Sequence, residues 1–284
     1  VTPVEVFVIN LPDDADRRDV IGAQLDEMGI SYRFEAAVDA RGMDAHDMDE
    51  LIRSNRLTRQ ATLDMSKGSI GCLLSHQAVY QRMIDEDLPM AVILEDDADV
   101  SPGLAKILGQ IPAHLGADEL LLLYYRYTQP GPFEVSILDR VDLGDGVGLY
   151  APLHKNIHST LGYAISQDVA RGLLRVNVPI ELPADVWSQF YDRGAFTSIR
   201  IAYPRGVEQR DVPSTRMHPG SRTATRDTSQ PLGTQVKQQV GRMPVARQIL
   251  ERRRTRETIR KTTPRFVDTP SPYRPGGDSG RAMT

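Results

Sequence analysis

The stretch AVILEDDADV, residues 91–100, sets an apolar run against three consecutive carboxylates, Glu95, Asp96 and Asp97. Like charges side by side repel, so a chain that puts them where a hydrophobic strand ends either binds a cation there or lets the strand run out into water. Successive side chains on a strand point to opposite faces. With the backbone extended through residue 97, Glu95 and Asp97 face one way and Asp96 the other. Oxygen ligands of this kind suit a hard cation, Mn²⁺ or Mg²⁺, that keeps open positions for the phosphates of a nucleotide.

Strand and helix signals alternate on either side of this stretch. Val4–Asn10 (VEVFVIN) is a β-branched, aromatic run that ends on a polar residue, as a buried strand does. Asp16–Met28 carries Val20, Ile21 and Leu25 at helical spacing and stops at Gly29. Tyr32–Val38 reads as a second strand, Asp47–Arg56 as a helix and Leu57–Lys67 as a polar connection. Ser69–Asp87 is a helix with Ile70, Leu73, Leu74, Met83 and Ile84 along it, closed by Leu88-Pro89. Ala91–Leu94, Leu120–Tyr125, Leu161–Ile165 and Ser198–Ala202 read as further strands, and Asp168–Leu174 and Asp185–Tyr191 as short helices. Such alternation implies an α/β domain with a mostly parallel sheet covered by helices on both faces. Ligands of such sheets bind beyond the carboxyl ends of the strands. Asn10, Asp39 and Glu95–Asp97 stand at three of those ends.

Composition bounds the rest. The chain has 284 residues, 40% hydrophobic and 25% charged, as an ordinary globular protein has. Its longest apolar and aromatic run, Leu120–Tyr125, is far too short to span a bilayer. No basic and apolar leader pattern opens the chain, so no secretory signal is expected, although a start at Val1 leaves a trimmed leader open. The single cysteine, Cys72, excludes an intrachain disulfide and fits a reducing, cytoplasmic setting. The net charge of −4 hides two unlike parts. Residues 1–202 hold 17 Lys and Arg against 31 Asp and Glu; residues 203–284 hold 17 against 7. We therefore expect a domain over 1–215 and a basic, largely irregular tail over 216–284, part helical near 245–261. Basic residues there suit peripheral contact with an anionic membrane surface, the inner face for a cytoplasmic protein, rather than nucleic acid.

Two segments carry a family resemblance. GSIGCLLSHQAVYQRMIDEDLPMAVILEDDADV (Gly68–Val100) resembles glycosyltransferase family 25, whose members join a G-x-x-G-C-x-x-S-H helix to an I-L-E-D-D strand end. VFVINLPDDADRRDVIGAQLDEMGISYRFEAAVDARG (Val6–Gly42) is similar to the nucleotide-binding start of the same family. STLGYAIS (Ser159–Ser166) and YPRGVEQ (Tyr203–Gln209) continue the likeness to about residue 215, while PDDAD before Arg17-Arg18 departs from it. The resemblance implies a GT-A-like single domain and transfer of a hexose, often galactose, from a UDP-sugar. Its acceptors would be glycans such as lipopolysaccharide, free or lipid-linked, or hydroxylysine in collagen for animal relatives.

In that setting Glu95 and Asp97 would hold Mn²⁺ (or Mg²⁺) in a DXD-like motif. Asn10 and Asp39 would hold the uridine, and Asp96 the ribose or a metal ligand. Arg17 would meet phosphate, unless it and Arg18 are simply solvated. Ser75 and His76 would contact the sugar nucleotide, with a structural hydrogen bond as the alternative for His76. Cys72 reads as a small buried hydrophobe. Inverting transfer needs a base for the acceptor hydroxyl, and Asp185 in ELPADVW is the choice; its alternative is a helix N-cap before Trp187, itself a stacking platform or core. A response-regulator receiver fails on spacing, because its acidic pocket follows the first strand. A non-catalytic sugar-nucleotide-binding module remains the other reading.

Overall fold

A computed structural model describes residues 4–210 and 263–276. The first strand, β1 (Glu5–Asn10), is buried along both faces, as its unbroken apolar run requires. Helix α1 (Ala15–Glu27) follows and ends at Gly29, whose φ of +64° lies where only glycine sits without strain. Strand β2 (Arg33–Ala36) leads into a 3₁₀ turn at Ala40–Gly42 and helix α2 (Ala45–Arg53), which opens with an Asp44/Asp47 capping box. The 57–67 segment is not a plain connection. It contains a short helix, α3 (Arg59–Asp64), capped by Thr58 and held by Leu57 and Ala61 in a small apolar cluster.

The long helix α4 (Lys67–Asp85) is capped by Ser66 and returns the chain to β3 (Met90–Glu95). A turn at Asp96–Asp97 breaks the strand before β4 (Ala98–Val100). Helix α5 (Leu104–His114), β5 (Glu119–Leu122) and the short β6 (Arg126–Tyr127) come next. Then β7 (Phe133–Gly144) and β8 (Val147–Pro152) form a hairpin that sequence periodicity had not revealed. Its Gly144-Asp145-Gly146 turn, all three residues at positive φ, is the Asp-Gly signal that would have found it. The rest is β9 (Ile157–His158), β10 (Gly162–Ser166), α6 (Gln167–Asn177), α7 (Trp187–Asp192), β11 (Ser198–Tyr203), β12 (Val207–Gln209) and β13 (Pro264–Val267).

Among the described residues nine strands make one sheet in the order β13-β7-β8-β11-β5-β10-β3-β1-β2. It is mixed rather than mostly parallel. β1 runs parallel to β2 and β3, but β10 enters antiparallel between β3 and β5, and the β7–β8 hairpin is antiparallel by construction. Helices do cover both faces. α4, α6 and α7 pack Met83, Leu173 and Trp187 on one side, and α1 and α5 pack Leu25 and Ile107 on the other. Trp187 is core: it is fully buried and its Nε1 donates to Ser159 O at 2.9 Å.

The boundary expected at 215 needs revision. Residues 264–267 return as an edge strand parallel to β7, and Ile199 N donates to Tyr273 O at 2.9 Å. That part of the expected tail belongs to the sheet. The remainder, including the helix expected near 245–261, lies outside the described residues. Among the described residues no helix is long and apolar enough to cross a membrane.

Candidate active site

β1 and β3 are parallel neighbours with Ile9 opposite Glu95, so Asn10 and the three carboxylates emerge at the same edge of the sheet. A cleft of about 650 Å³ opens there, lined by Arg17, Asp39, Arg41, Cys72, His76 and the three acids among others. The alternation expected for residues 95–97 does not hold, because the backbone turns at Asp96–Asp97 instead of staying extended. Glu95 and Asp97 nevertheless meet. Both also line an adjoining cavity of about 1080 Å³, shared with Arg126, His158, Thr160 and Asp185.

Each acid has its own surroundings. Asp96 is turned away from the second cavity and is buried; Asn10 Nδ2 donates to it at 2.9 Å and Arg17 Nη1 at 3.0 Å. Glu95 Oε1 accepts from Thr160 Oγ1 and lies 3.5 Å from His76 Nε2. Asp97 has Gln209 Nε2 3.5 Å from Oδ2, while its Oδ1 is buried without a hydrogen-bond partner among the described residues. Burial, with the charges of Glu95 and Asp96, pushes the Asp97 carboxyl above the usual carboxylate range, against Arg17 and Gln209. An under-satisfied buried carboxylate oxygen beside a second carboxylate is a donor set that a hard divalent cation fits.

Several residues expected to touch a ligand also hold the site's walls. The Asn10 amide donates to Asp96 and to Asp14 O at 3.1 Å. Ser75 Oγ accepts from Val38 N at 2.8 Å and donates to Gly71 O at 2.7 Å, which ties the loop after β2 to α4. Gly71 lets that loop close in: a Cβ there would sit 2.4 Å from Val38 O. Asp39 lines the cleft and caps the 3₁₀ turn, gripped by Arg41 Nε at 2.7 Å and Nη2 at 2.6 Å. Arg17 lines the cleft too, bridging Asp14 and Asp96. Arg18 stacks on Phe34 at 4.1 Å instead.

His76 is fully buried. Its Nδ1 is 2.8 Å from Tyr163 Oη, which is 2.7 Å from Tyr80 Oη. Burial raises both tyrosines, so the phenols stay protonated behind Glu95. Asp185 is not an N-cap: Val186 occupies that position and makes no side-chain cap, which leaves the Asp185 carboxylate on the cavity wall. Sequence reasoning passed over Arg126, His158, Thr160 and Arg210. Thr160 lies in the quoted S-T-L-G-Y segment, and Gly162 after it admits Val207, whose Cγ2 is 2.6 Å from where a Cβ would stand. Arg210 follows β12, which pairs with β4; its N donates to Asp97 O at 3.0 Å and its guanidinium to Asp96 O.

A family model described as "Glycosyltransferase family 25 (LPS biosynthesis protein)" matches residues 4–187. The chain is 30% identical over 175 residues to a Bos taurus protein named "Probable inactive glycosyltransferase 25 family member 3". It is 27% identical over 181 residues to the Homo sapiens "Procollagen galactosyltransferase 2" and 28% over 178 to that of Mus musculus. These matches cover 60–61% of this chain and only 27–28% of each relative, so the chain spans little more than a quarter of their length. Cys72, Ser75, His76, the three acids and Asp185 fall inside the family match; β12 and Arg210 lie beyond it.

Proposed function

The chain belongs to glycosyltransferase family 25, and we propose that it moves a hexose, galactose first among them, from a UDP-sugar to a hydroxyl of a glycan acceptor such as lipopolysaccharide, with inversion. One observation carries this reading: Glu95 and Asp97 stand on the wall between two cavities, one bounded by the β1 and β2 loops, the other holding Asp185. The first suits the nucleotide, at the strand ends where open α/β sheets bind ligands. The second suits the acceptor.

Glu95 and Asp97 would hold Mn²⁺ or Mg²⁺, which when bound supplies Lewis-acid stabilisation of the charge on the departing diphosphate. Arg17, fixed by Asp14 and Asp96, adds positive charge on the nucleotide side. Thr160, donating to Glu95 from the segment after β9, keeps that carboxylate turned to the junction. Asp185 accepts the proton of the acceptor hydroxyl as its oxygen attacks the anomeric carbon from the face opposite the leaving group. The basic stretch Arg252–Arg256 would draw the enzyme to an anionic surface that carries a lipid-linked acceptor.

A second reading follows from relatives whose names call them inactive: a module that binds a sugar nucleotide without turning it over. Release of free UDP separates the two. A panel of UDP-hexoses with Mn²⁺, with and without glycan acceptor, should give acceptor-stimulated UDP release from one donor. Metal-dependent UDP binding with no release from any donor would favour the module.

A further inference from the structure

Cys72 and His76 are four residues apart on α4 and therefore share one face of the helix. Both point at the end of β3, where Cys72 Sγ is 3.9 Å and His76 Nε2 3.5 Å from the same oxygen, Glu95 Oε1. One ligand atom from each of the three residues lies within 4.8 Å of the others. We propose that Cys72, His76 and Glu95 form a three-ligand site for a borderline-soft divalent cation, zinc(II), with the fourth position open to the cleft that all three residues line.

The geometry suits that ion. Zinc bonds of about 2.0–2.3 Å to nitrogen, oxygen and sulfur, at tetrahedral angles, set N···O near 3.4 Å and S···O near 3.6 Å. The observed separations are within a few tenths of an ångström of both. His76 Nε2 supplies an independent sign. It is buried and makes no hydrogen bond among the described residues, although a carboxylate oxygen stands 3.5 Å away. If Nδ1–H donates to Tyr163 Oη, Nε2 presents a bare lone pair to the lone pairs of Glu95, an arrangement that a cation resolves. Tyr163, backed by Tyr80, then fixes the ring from behind, as partners of metal-bound histidines do.

This goes beyond the manganese reading, since thiolate and imidazole select a different class of ion from paired carboxylates. It also makes Glu95 a ligand for which two ions compete. The test needs no sugar nucleotide. Cys72 is the chain's sole cysteine, so any thiolate-to-metal charge-transfer absorption can arise only there. The full, reduced, metal-free chain is titrated with Co²⁺ and followed in the near ultraviolet and visible. We expect a thiolate–cobalt band and a tetrahedral visible spectrum that saturate at one equivalent and are displaced by Zn²⁺. Cys72→Ser should lose the near-ultraviolet band, and His76→Gln should weaken Co²⁺ binding by at least about 10²-fold. No thiolate band in the folded wild-type chain would overturn the proposal, as would a band that survives in Cys72→Ser. So would saturation at half an equivalent, the mark of an ion shared by two copies. The wild-type and Cys72→Ser spectra decide the matter even if His76→Gln fails to fold.

Discussion

Replacing Gly71 by alanine tests whether α4 seats the cleft's upper loop. Two effects oppose each other. Alanine is favoured over glycine inside a helix by about 1 kcal/mol. Against this, the new Cβ would lie 2.4 Å from Val38 O, 3.0 Å from Ala40 N and 3.2 Å from Ala40 Cβ. An ordinary carbon-to-oxygen contact is roughly 3.3 Å, so helix and loop must separate by about 0.9 Å. The atoms met first are backbone, with no flexible side chain to give way, and overpacking of that kind costs about 1–3 kcal/mol. The steric cost less the helical gain leaves a net loss of roughly 0–2 kcal/mol and a Tm lower by up to about 8 °C. The same displacement carries Asp39 and Arg41 out of place and stretches the bond from Val38 N to Ser75 Oγ. If that loop holds the nucleotide, a shift near 1 Å should cost turnover about 10²-fold. Thermal melts, UDP calorimetry and turnover measure these effects, with Gly109→Ala as control. Gly109 lies in α5 with nothing among the described residues within 4 Å of an added Cβ, so that change should stabilise. A Gly71→Ala protein as stable as wild type, with unchanged UDP affinity, would refute the seating of this loop on the helix.

Asp97→Asn should abolish Mn²⁺-dependent UDP binding yet raise the stability of the metal-free protein. The folded carboxyl has a raised pKa, so its stabilising contribution is full below the unfolded carboxylate range and is lost as pH rises through the folded value. Melting curves of both proteins from acid to neutral pH should diverge as pH rises, and parallel curves would remove the electrostatic argument. Asp185→Asn should lower transfer by about 10²–10⁴-fold and leave UDP affinity nearly unchanged. Turnover above about a tenth of wild type would show that another group takes the proton. Changing Arg252, Arg253, Arg254 and Arg256 to Gln should weaken binding to anionic vesicles at low salt, by about 1 kcal/mol for each residue that reaches the surface. Equal sedimentation with vesicles would count against membrane contact. Substitution is the right perturbation because truncation after 215 would also remove β13 from the sheet.

Local chemistry made some of this legible in one dimension. The apolar runs Val6–Ile9 and Ala91–Leu94 could only be buried strands, and the polar residues that end them had to emerge where strands end. Cys72 and His76 fall on one helical face by spacing alone. The Asp145-Gly146 turn was readable as well, although alternation in β7 is blurred by the irregular register against β8.

Other features depend on contacts that no local pattern encodes. Glu95 and Asp97 were expected together because an extended backbone alternates. They meet instead through a turn whose carbonyls, Asp96 O and Asp97 O, are held by Arg210 from the far end of the domain. β13 was invisible because Arg265 and the prolines around it look like tail; it becomes a strand only where the edge of β7 offers unpaired backbone groups. The antiparallel entry of β10, which makes the sheet mixed, brings Thr160 against Glu95 and Tyr163 against His76. Local pattern was enough for the buried apolar strands, the helix faces and the position of the acids at the end of β3. Only the tertiary structure decided which atoms face one another, because a side chain's direction at a strand end is set by the partners that bind its backbone.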